Sequence, residues 1–278
     1  TLKRAIPTFE EQGSFEMGTV IKPIEGDYDL DDGMYLNCMG NDPTEWESVS
    51  TVQGWVCDAV KGATQGDPQK RKRCVRIPYK DGYHIDVPSY GIDSFNTTRV
   101  YEKGKEPSDF DESNPVALVE WFSERKKSHA DLRDLVRFFK GWRDYKKGAL
   151  SKIKSVTLTI LIAEHIQSND KYDQAVVDTA RHCANHIRGG GSIAKPVAPY
   201  EDLTASWTAD DRTKIADAFD DLAEKGEEAI AADTIRTGAL LWQGEFGPRF
   251  PVPDDGAEKA AGPSIFVKRD IRESQPFA

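Results

Sequence analysis

The sequence is organised around an acidic segment near the N-terminus, Gly26-Asp27-Tyr28-Asp29-Leu30-Asp31-Asp32-Gly33. In an extended strand successive side chains alternate between the two faces, so Asp29 and Asp31 project together while Leu30 points to the core. Two hard oxygen ligands on one face can hold Mg²⁺ or Mn²⁺ against a phosphate. The spacing therefore predicts a strand that carries a metal site on its polar face.

An Asp-rich segment can also be a calcium-binding EF-hand loop or a solvated turn. An EF-hand loop that began at Asp27 would need a glycine where the chain has Asp32 and a glutamate where it has Cys38, so an EF-hand fits the segment poorly. Short acidic motifs specify function loosely, and the segment alone leaves a solvated turn and a catalytic metal site equally open.

An upstream glycine and serine strengthen the metal reading. The chain reads Gln12-Gly13-Ser14-Phe15 before the acidic segment. Glycine lets the backbone approach a phosphate closely, and a serine hydroxyl with nearby backbone amides can donate hydrogen bonds to its oxygens. The pair is weak evidence by itself, and its order relative to the acidic strand is the informative part.

A β-hairpin is predicted further along the chain, with one strand in 74–79 and the next in 83–87, joined at Asp81-Gly82. The second strand alternates apolar residues with His84 and Asp86, so Asp86 emerges on the polar face. If this strand lies beside the acidic one, three carboxylates converge. Such a site can bind two cations and help to deprotonate an attacking hydroxyl.

The pattern of these motifs resembles a known family. Gly13-Ser14, then Asp29-Leu30-Asp31-Asp32-Gly33-Met34-Tyr35-Leu36, then Asp86 is similar to the bacterial cGAS/DncV-like nucleotidyltransferases (CD-NTases) of the polymerase-β-like superfamily. The Asp-Leu-Asp-Asp-Gly-x-Tyr-Leu stretch is most similar to the DncV-type branch. The resemblance continues through the helical segment 135–142 and through 242–251, so it covers nearly the whole chain.

The resemblance implies an α+β, two-lobed fold. The expected parts are a catalytic lobe with a mixed sheet in residues 1–112, a helical lobe in 113–253 and a C-terminal tail in 254–278. Family members usually carry a long helix before the Gly-Ser motif, whereas twelve residues precede Gly13 here. We expect the tail to be available to a protein regulator or a conjugating partner.

The resemblance also implies roles for individual residues. Asp29 and Asp31 would bind two Mg²⁺ or Mn²⁺ ions, and Asp86 would complete the metal site and activate the ribose hydroxyl. The implied nucleotide-binding residues are Gln12, Gly13, Ser14, Arg76, Lys140 and Ser155, with Ser151 as an alternative to Ser155.

The function implied is a metal-dependent nucleotidyltransferase. Its substrates would be ribonucleoside triphosphates, ATP and GTP first among them, and its product a cyclic di- or trinucleotide messenger for antiphage signalling, with release of pyrophosphate. A linear oligonucleotide or tRNA-end nucleotidyltransferase is the alternative within the superfamily, although an acidic chain suits a tRNA partner poorly. A catalytically silent nucleotide-binding scaffold is the alternative from another class.

Composition and charge indicate which classes of partner to expect. The formal net charge is −10, whereas DNA binding requires a broad basic surface, so we expect no DNA activator. No apolar run reaches transmembrane length, and no membrane partner is expected. The four cysteines are far apart and form no Cys-x-x-Cys pair, which favours reduced thiols and a cytoplasmic location.

Overall fold

The computed structural model describes residues 6–36, 39–64, 66–80 and 82–254. Cys38, used in the EF-hand comparison, and Asp81, in the predicted hairpin turn, lie outside these residues. The predicted tail after Asp254 also lies outside them. The described chain forms two units. One comprises the residues up to Lys127 together with Lys195–Glu201, and the other comprises Ser128–Ala194 and the described residues from Asp202 onward.

The first unit is built on a mixed six-stranded sheet. Its strands are β1 (Thr8–Gln12), β2 (Tyr28–Tyr35), β3 (Gln69–Lys70), β4 (Cys74–Pro78), β5 (Tyr83–Ile92) and β6 (Thr98–Val100). The order is β1-β2-β5-β4-β3, and β6 also pairs with β5. The helices of this unit are α1 (Gly13–Glu16), α2 (Val49–Val60) and α3 (Pro115–Ser128).

The central strand pair is parallel and the other pairs are antiparallel. In the β2–β5 register Asp29 lies opposite His84 and Asp31 lies opposite Asp86. The predicted adjacency of the two acidic strands is therefore confirmed. The predicted hairpin is also confirmed, because β4 pairs antiparallel with β5.

Helix α2 packs its apolar face on the sheet. Ser48 caps the helix, since its hydroxyl accepts a hydrogen bond from the Thr51 amide at 3.2 Å. Periodic apolar positions of the helix and alternating positions of the strands share one core. Its fully or nearly buried members are Met34, Leu36, Trp46, Val49, Val52, Val56, Val75, Ile77, Val87, Tyr101 and Phe110.

The sequence predicts one helix from Asp42 to about Val60, and its N-terminal part is wrong. Asp42 caps only a short 3₁₀ turn, Pro43–Glu45, and the chain is extended at Trp46 with φ −72° and ψ 150°. Packing explains the break. The Trp46 ring stacks on Tyr101 with centroids 5.9 Å apart, and its indole nitrogen donates to the Gly40 carbonyl at 2.9 Å.

The boundary after residue 112 also differs from the structure, because α3 groups with the sheet. Val116 on this helix packs against a small cluster of Tyr35, Tyr90 and Val100, which come from β2, β5 and β6. This contact joins α3 to the first unit, so the boundary falls after Lys127.

The second unit is helical, as expected. Its helices are α4 (Leu132–Lys146), α5 (Ser155–His165), α6 (Tyr172–Arg188), α7 (Ala209–Ala231) and α8 (Ile235–Phe246). The sequence repeats apolar residues at helical spacing here, and all of them are buried on α4, namely Leu132, Leu135, Val136, Phe139 and Trp142. Among the described residues no helix combines the length and the apolar character that crossing a membrane requires.

Replacing Gly91 by alanine tests the packing of Trp46. A Cβ at Gly91 would lie 2.5 Å from the Trp46 ring, so we expect Gly91→Ala to lower the free energy of unfolding by about 1–3 kcal/mol through overpacking. Gly54→Ala is the matched control, because the interior of α2 leaves room for a methyl group there. It should raise the free energy by about 0.5–1 kcal/mol. Urea denaturation measures both, and a neutral Gly91→Ala would contradict this account.

Candidate active site

The polar face of the β2–β5 pair gathers the predicted catalytic residues of the sheet unit. Ligand atoms of Asp29, His84 and Asp86 all lie within 4.8 Å of one another. Asp31 lies directly opposite Asp86 in the strand register. Period-two alternation on two parallel neighbours thus brings Asp29 and Asp86 together with a histidine and places Asp31 beside Asp86 in the register.

The Asp31 carboxylate lies against the glycine that follows β1. Gly13 has φ +65°, and a Cβ there would lie 2.7 Å from Asp31 Oδ2. Any side chain at this position would therefore be strained twice, by its backbone conformation and by the carboxylate. The Gly-Ser turn and the acidic strand are in direct contact, which explains the need for glycine.

Crowded carboxylates change the acid strength of this site. Burial, with the negative charges of Asp86 and Asp29, raises the pKa of Asp31 to about 6, and the charge of Arg76 opposes the rise. The excess negative charge is what a divalent cation would neutralise. A set of carboxylate oxygens with one imidazole nitrogen fits a divalent metal ion.

Arg76 on β4 provides the positive charge at the site. Its Nε and Nη2 each donate to a different oxygen of Asp86, both at 2.8 Å, and Nη2 also reaches Asp29 Oδ1 at 3.4 Å. Two-point pairing of this kind fixes both partners. The hydrogen bond to Asp86 is also the main reason why the pKa of Arg76 is raised.

Two further residues at the site were not identified from the sequence. Cys74 lies on β4, and burial together with the Asp86 charge and its hydrogen bond raises the pKa of the thiol to about 12. The buried His84 contacts the Asp29 carboxylate through Nε2. His84 precedes Asp86 by two residues on β5, so the alternation that selected Asp86 also indicated His84. No comparable signal marked Cys74.

The Gly-Ser turn has the compact backbone that the motif suggests. The Met17 amide donates to the Gly13 carbonyl at 3.2 Å, and the Thr19 amide donates to the Ser14 carbonyl at 2.8 Å. Gln12 behaves differently. Its side chain is buried and its amide nitrogen donates to the Tyr90 hydroxyl at 3.0 Å, so this side chain ties β1 to β5.

The remaining predicted nucleotide contacts belong to the helical unit. Lys140 is buried on α4, and burial, with a smaller effect of the Arg143 charge, lowers its pKa to about 8. Ser155 is exposed at the start of α5, and its hydroxyl accepts a hydrogen bond from Arg143 Nη2 at 2.9 Å. Ser151 is exposed in the 3₁₀ turn Gly148–Lys152. Binding of a triphosphate by these residues stays a prediction.

Comparison with known families matches the sheet unit to one of them. Residues 7–90 match the family described as cyclic GMP-AMP synthase DncV-like, nucleotidyltransferase domain. This range contains Gly13 and all three predicted catalytic carboxylates.

Curated relatives extend the similarity along the chain. A cyclic GMP-AMP synthase from Escherichia albertii is 24% identical over 238 residues, which are 82% of this chain and 52% of that protein. A cyclic GMP-AMP synthase from Escherichia coli is 26% identical over 221 residues, which are 59% of this chain and 49% of that protein. The chain thus spans about half the length of these relatives.

A solved structure supports the fold. The Vibrio cholerae cyclic AMP-GMP synthase DncV, in complex with the linear intermediate 5′ pppA(3′,5′)pG, matches with a TM-score of 0.69 at 21% identity. The match covers 88% of this chain and 70% of that one. The expected α+β fold is thereby confirmed.

Asp31→Asn should stabilise the chain in the presence of EDTA, and more at about pH 8 than at about pH 5. The pKa of Asp31 is raised in the folded state, so its ionisation opposes folding above the ordinary value of 3.8 and does so fully only above about 6. The gain in the free energy of unfolding should therefore grow by about 1 kcal/mol between the two conditions. Urea denaturation of both proteins measures it, and an equal gain at both pH values would refute the raised pKa of Asp31.

Proposed function

Because residues 7–90 match the DncV-like nucleotidyltransferase family, we propose that this chain joins ribonucleoside triphosphates into a cyclic di- or trinucleotide and releases pyrophosphate. ATP and GTP are the first substrates to test. The single observation that carries the proposal is the parallel β2–β5 register, which aligns Asp31 with Asp86 and brings ligand atoms of Asp29 and Asp86 within 4.8 Å of each other.

The chemistry we propose is an in-line displacement at an α-phosphate. A ribose hydroxyl oxygen forms a bond to the α-phosphorus of a second nucleotide, and the bond from that phosphorus to the pyrophosphate oxygen breaks. The hydroxyl proton passes to a carboxylate base, for which Asp86 is our candidate. A second, intramolecular round of the same displacement closes the ring.

Three carboxylates, Asp29, Asp31 and Asp86, would hold Mg²⁺ or Mn²⁺. A bound pair of such ions supplies charge stabilisation to the attacking and leaving oxygens. The pKa of Asp31, raised by burial and by the negative charges of Asp86 and Asp29, supports this assignment, because like charges in a partly buried cluster favour a bound cation.

The chain's other residues would bind and orient the nucleotides. Gly13 and Ser14 are the proposed holders of the donor triphosphate, with Gln12 contributing its peptide group because its side chain is bonded to Tyr90. Arg76 is the proposed contact on the sheet side. Lys140 and Ser155 complete the proposed set from the helical unit, with Ser151 as the alternative to Ser155.

The linear intermediate bound by the Vibrio cholerae enzyme supports a stepwise route and the choice of ATP and GTP. We extend the proposal to a cytoplasmic role in antiphage signalling without a DNA activator. That extension is supported by kinship and by the net charge of −10. A partner that acts on the C-terminal tail would regulate the output.

The first test is product formation. The protein is incubated with the four ribonucleoside triphosphates and Mg²⁺ or Mn²⁺, then treated with phosphatase, and the products are identified by mass spectrometry. We expect a phosphatase-resistant cyclic species that is missing from Asp29→Asn and Asp86→Asn, because each variant removes a charged ligand while keeping the side chain's shape. Linear products alone would favour the oligonucleotide or tRNA-end alternative, and nucleotide binding without pyrophosphate release would favour a silent scaffold.

A glycine pair provides the matched control. Gly13 and Gly62 both have positive φ, +65° and +76°, so alanine strains the backbone at either site by about 1–3 kcal/mol. Only at Gly13 does the new Cβ meet the Asp31 carboxylate, whereas nothing lies within 4 Å at Gly62. Gly13→Ala should therefore lose product formation and Gly62→Ala should keep it. Equal activity in the two variants would show that the close approach to Asp31 is not needed.

A further inference from the structure

We propose that His84 is a ligand of the metal ion at this site and that its imidazole makes the site prefer Mn²⁺ or Co²⁺ to Mg²⁺. This inference rests on the proposed metal-dependent function and deepens it by naming a fourth ligand and the ion it selects. The observation that carries it is the cluster of Asp29, His84 and Asp86, whose ligand atoms lie within 4.8 Å of one another.

The backbone explains why His84 belongs to the cluster. It is the register partner of Asp29 across the β2–β5 pair, and it precedes Asp86 by two residues on β5. Side chains two residues apart on a strand share a face. The same pairing that assembles the carboxylates therefore presents the imidazole to them.

Burial gives the imidazole a fixed position. His84 is only 7% exposed, whereas the Asp29 side chain it contacts is 56% exposed. The ring is thus anchored among strand residues, and its Nε2 is directed at the carboxylate on the open side of the sheet. A nitrogen held in this way is arranged as a ligand before any ion arrives.

The hydrogen bonds from Arg76 leave carboxylate lone pairs of Asp86 available to a metal ion. The Arg76 guanidinium donates one hydrogen bond to each oxygen of Asp86, and an ionised carboxylate offers about four lone-pair sites. Arg76 reaches Asp29 only at 3.4 Å, so it holds Asp29 less closely than Asp86. We therefore assign one of the two proposed ions to Asp29, His84 and a remaining oxygen site of Asp86.

Ligand chemistry decides which ion is preferred. Mg²⁺ takes oxygen ligands almost exclusively and gives up its water reluctantly, whereas first-row transition ions accept imidazole nitrogen. In the general affinity order Co²⁺ binds nitrogen-containing sites more tightly than Mn²⁺. A purely carboxylate site would select these ions less strongly, so His84 strengthens the expected order Co²⁺, then Mn²⁺, then Mg²⁺.

The test uses Mn²⁺ alone, without nucleotide, on the full chain. Electron spin echo envelope modulation of bound Mn²⁺ should show coupling to a ¹⁴N nucleus, and protein labelled with [¹⁵N]histidine should replace it by ¹⁵N coupling. His84→Gln should lose the nitrogen signal and weaken Mn²⁺ binding by about tenfold or more, while Mg²⁺ affinity, measured by competition, changes little. His182→Gln, at an exposed histidine of the helical unit, should keep both.

The outcomes separate this proposal from the proposed function. Mn²⁺ that binds in an Asp29-dependent manner without nitrogen coupling would overturn the role of His84 and leave the carboxylate site intact. No Mn²⁺ binding, or binding that survives both Asp29→Asn and Asp86→Asn, would remove the metal site and the proposed function with it. The labelling result uses the native sequence, so it stands even if His84→Gln does not fold.

Discussion

The parallel pairing of β2 with β5 is the constraint on which the site depends. Residues that lie opposite each other on paired strands point to the same face of the sheet. The register of β2 and β5 therefore places Asp29 beside His84 and Asp31 beside Asp86 on one face. Strands of this kind are distant in sequence, and here α2 and the β4 strand lie between them in the chain. The packing of α2 on the sheet core therefore supports the alignment of the acidic residues, although no α2 side chain is among them.

Gathering like charges opposes folding, and the surrounding residues offset that effect. Burial of Asp31, together with the negative charges of Asp86 and Asp29, raises its pKa. Arg76 offsets the negative charge by donating two hydrogen bonds to Asp86, and the protonated Cys74 thiol adds a hydrogen bond to the same carboxylate. A site held in this way is arranged for a cation before one binds, which is how a fold contributes to catalysis by positioning and charge.

Much of the sheet unit could be predicted from the sequence because its signals are local. Alternation around Asp29 and around Asp86 indicated the polar faces, and the resemblance supplied the pairing. The start of α2 could not be predicted, because stacking of Trp46 on Tyr101 overrides a good local cap at Asp42. The same holds for the domain boundary, the Arg76 fork and the bond between Gln12 and Tyr90, each of which depends on residues brought together only by the folded sheet. His84 was open to prediction by the alternation argument.

The most direct test of the central claim is a crystal structure of the protein with Mn²⁺ and a non-hydrolysable GTP analogue, read from anomalous diffraction. The account predicts a manganese peak within about 2.5 Å of carboxylate oxygens from both Asp29 and Asp86. Manganese found only elsewhere, with Arg76 still the sole cation on Asp86, would contradict the claim that this strand pair forms a metal site.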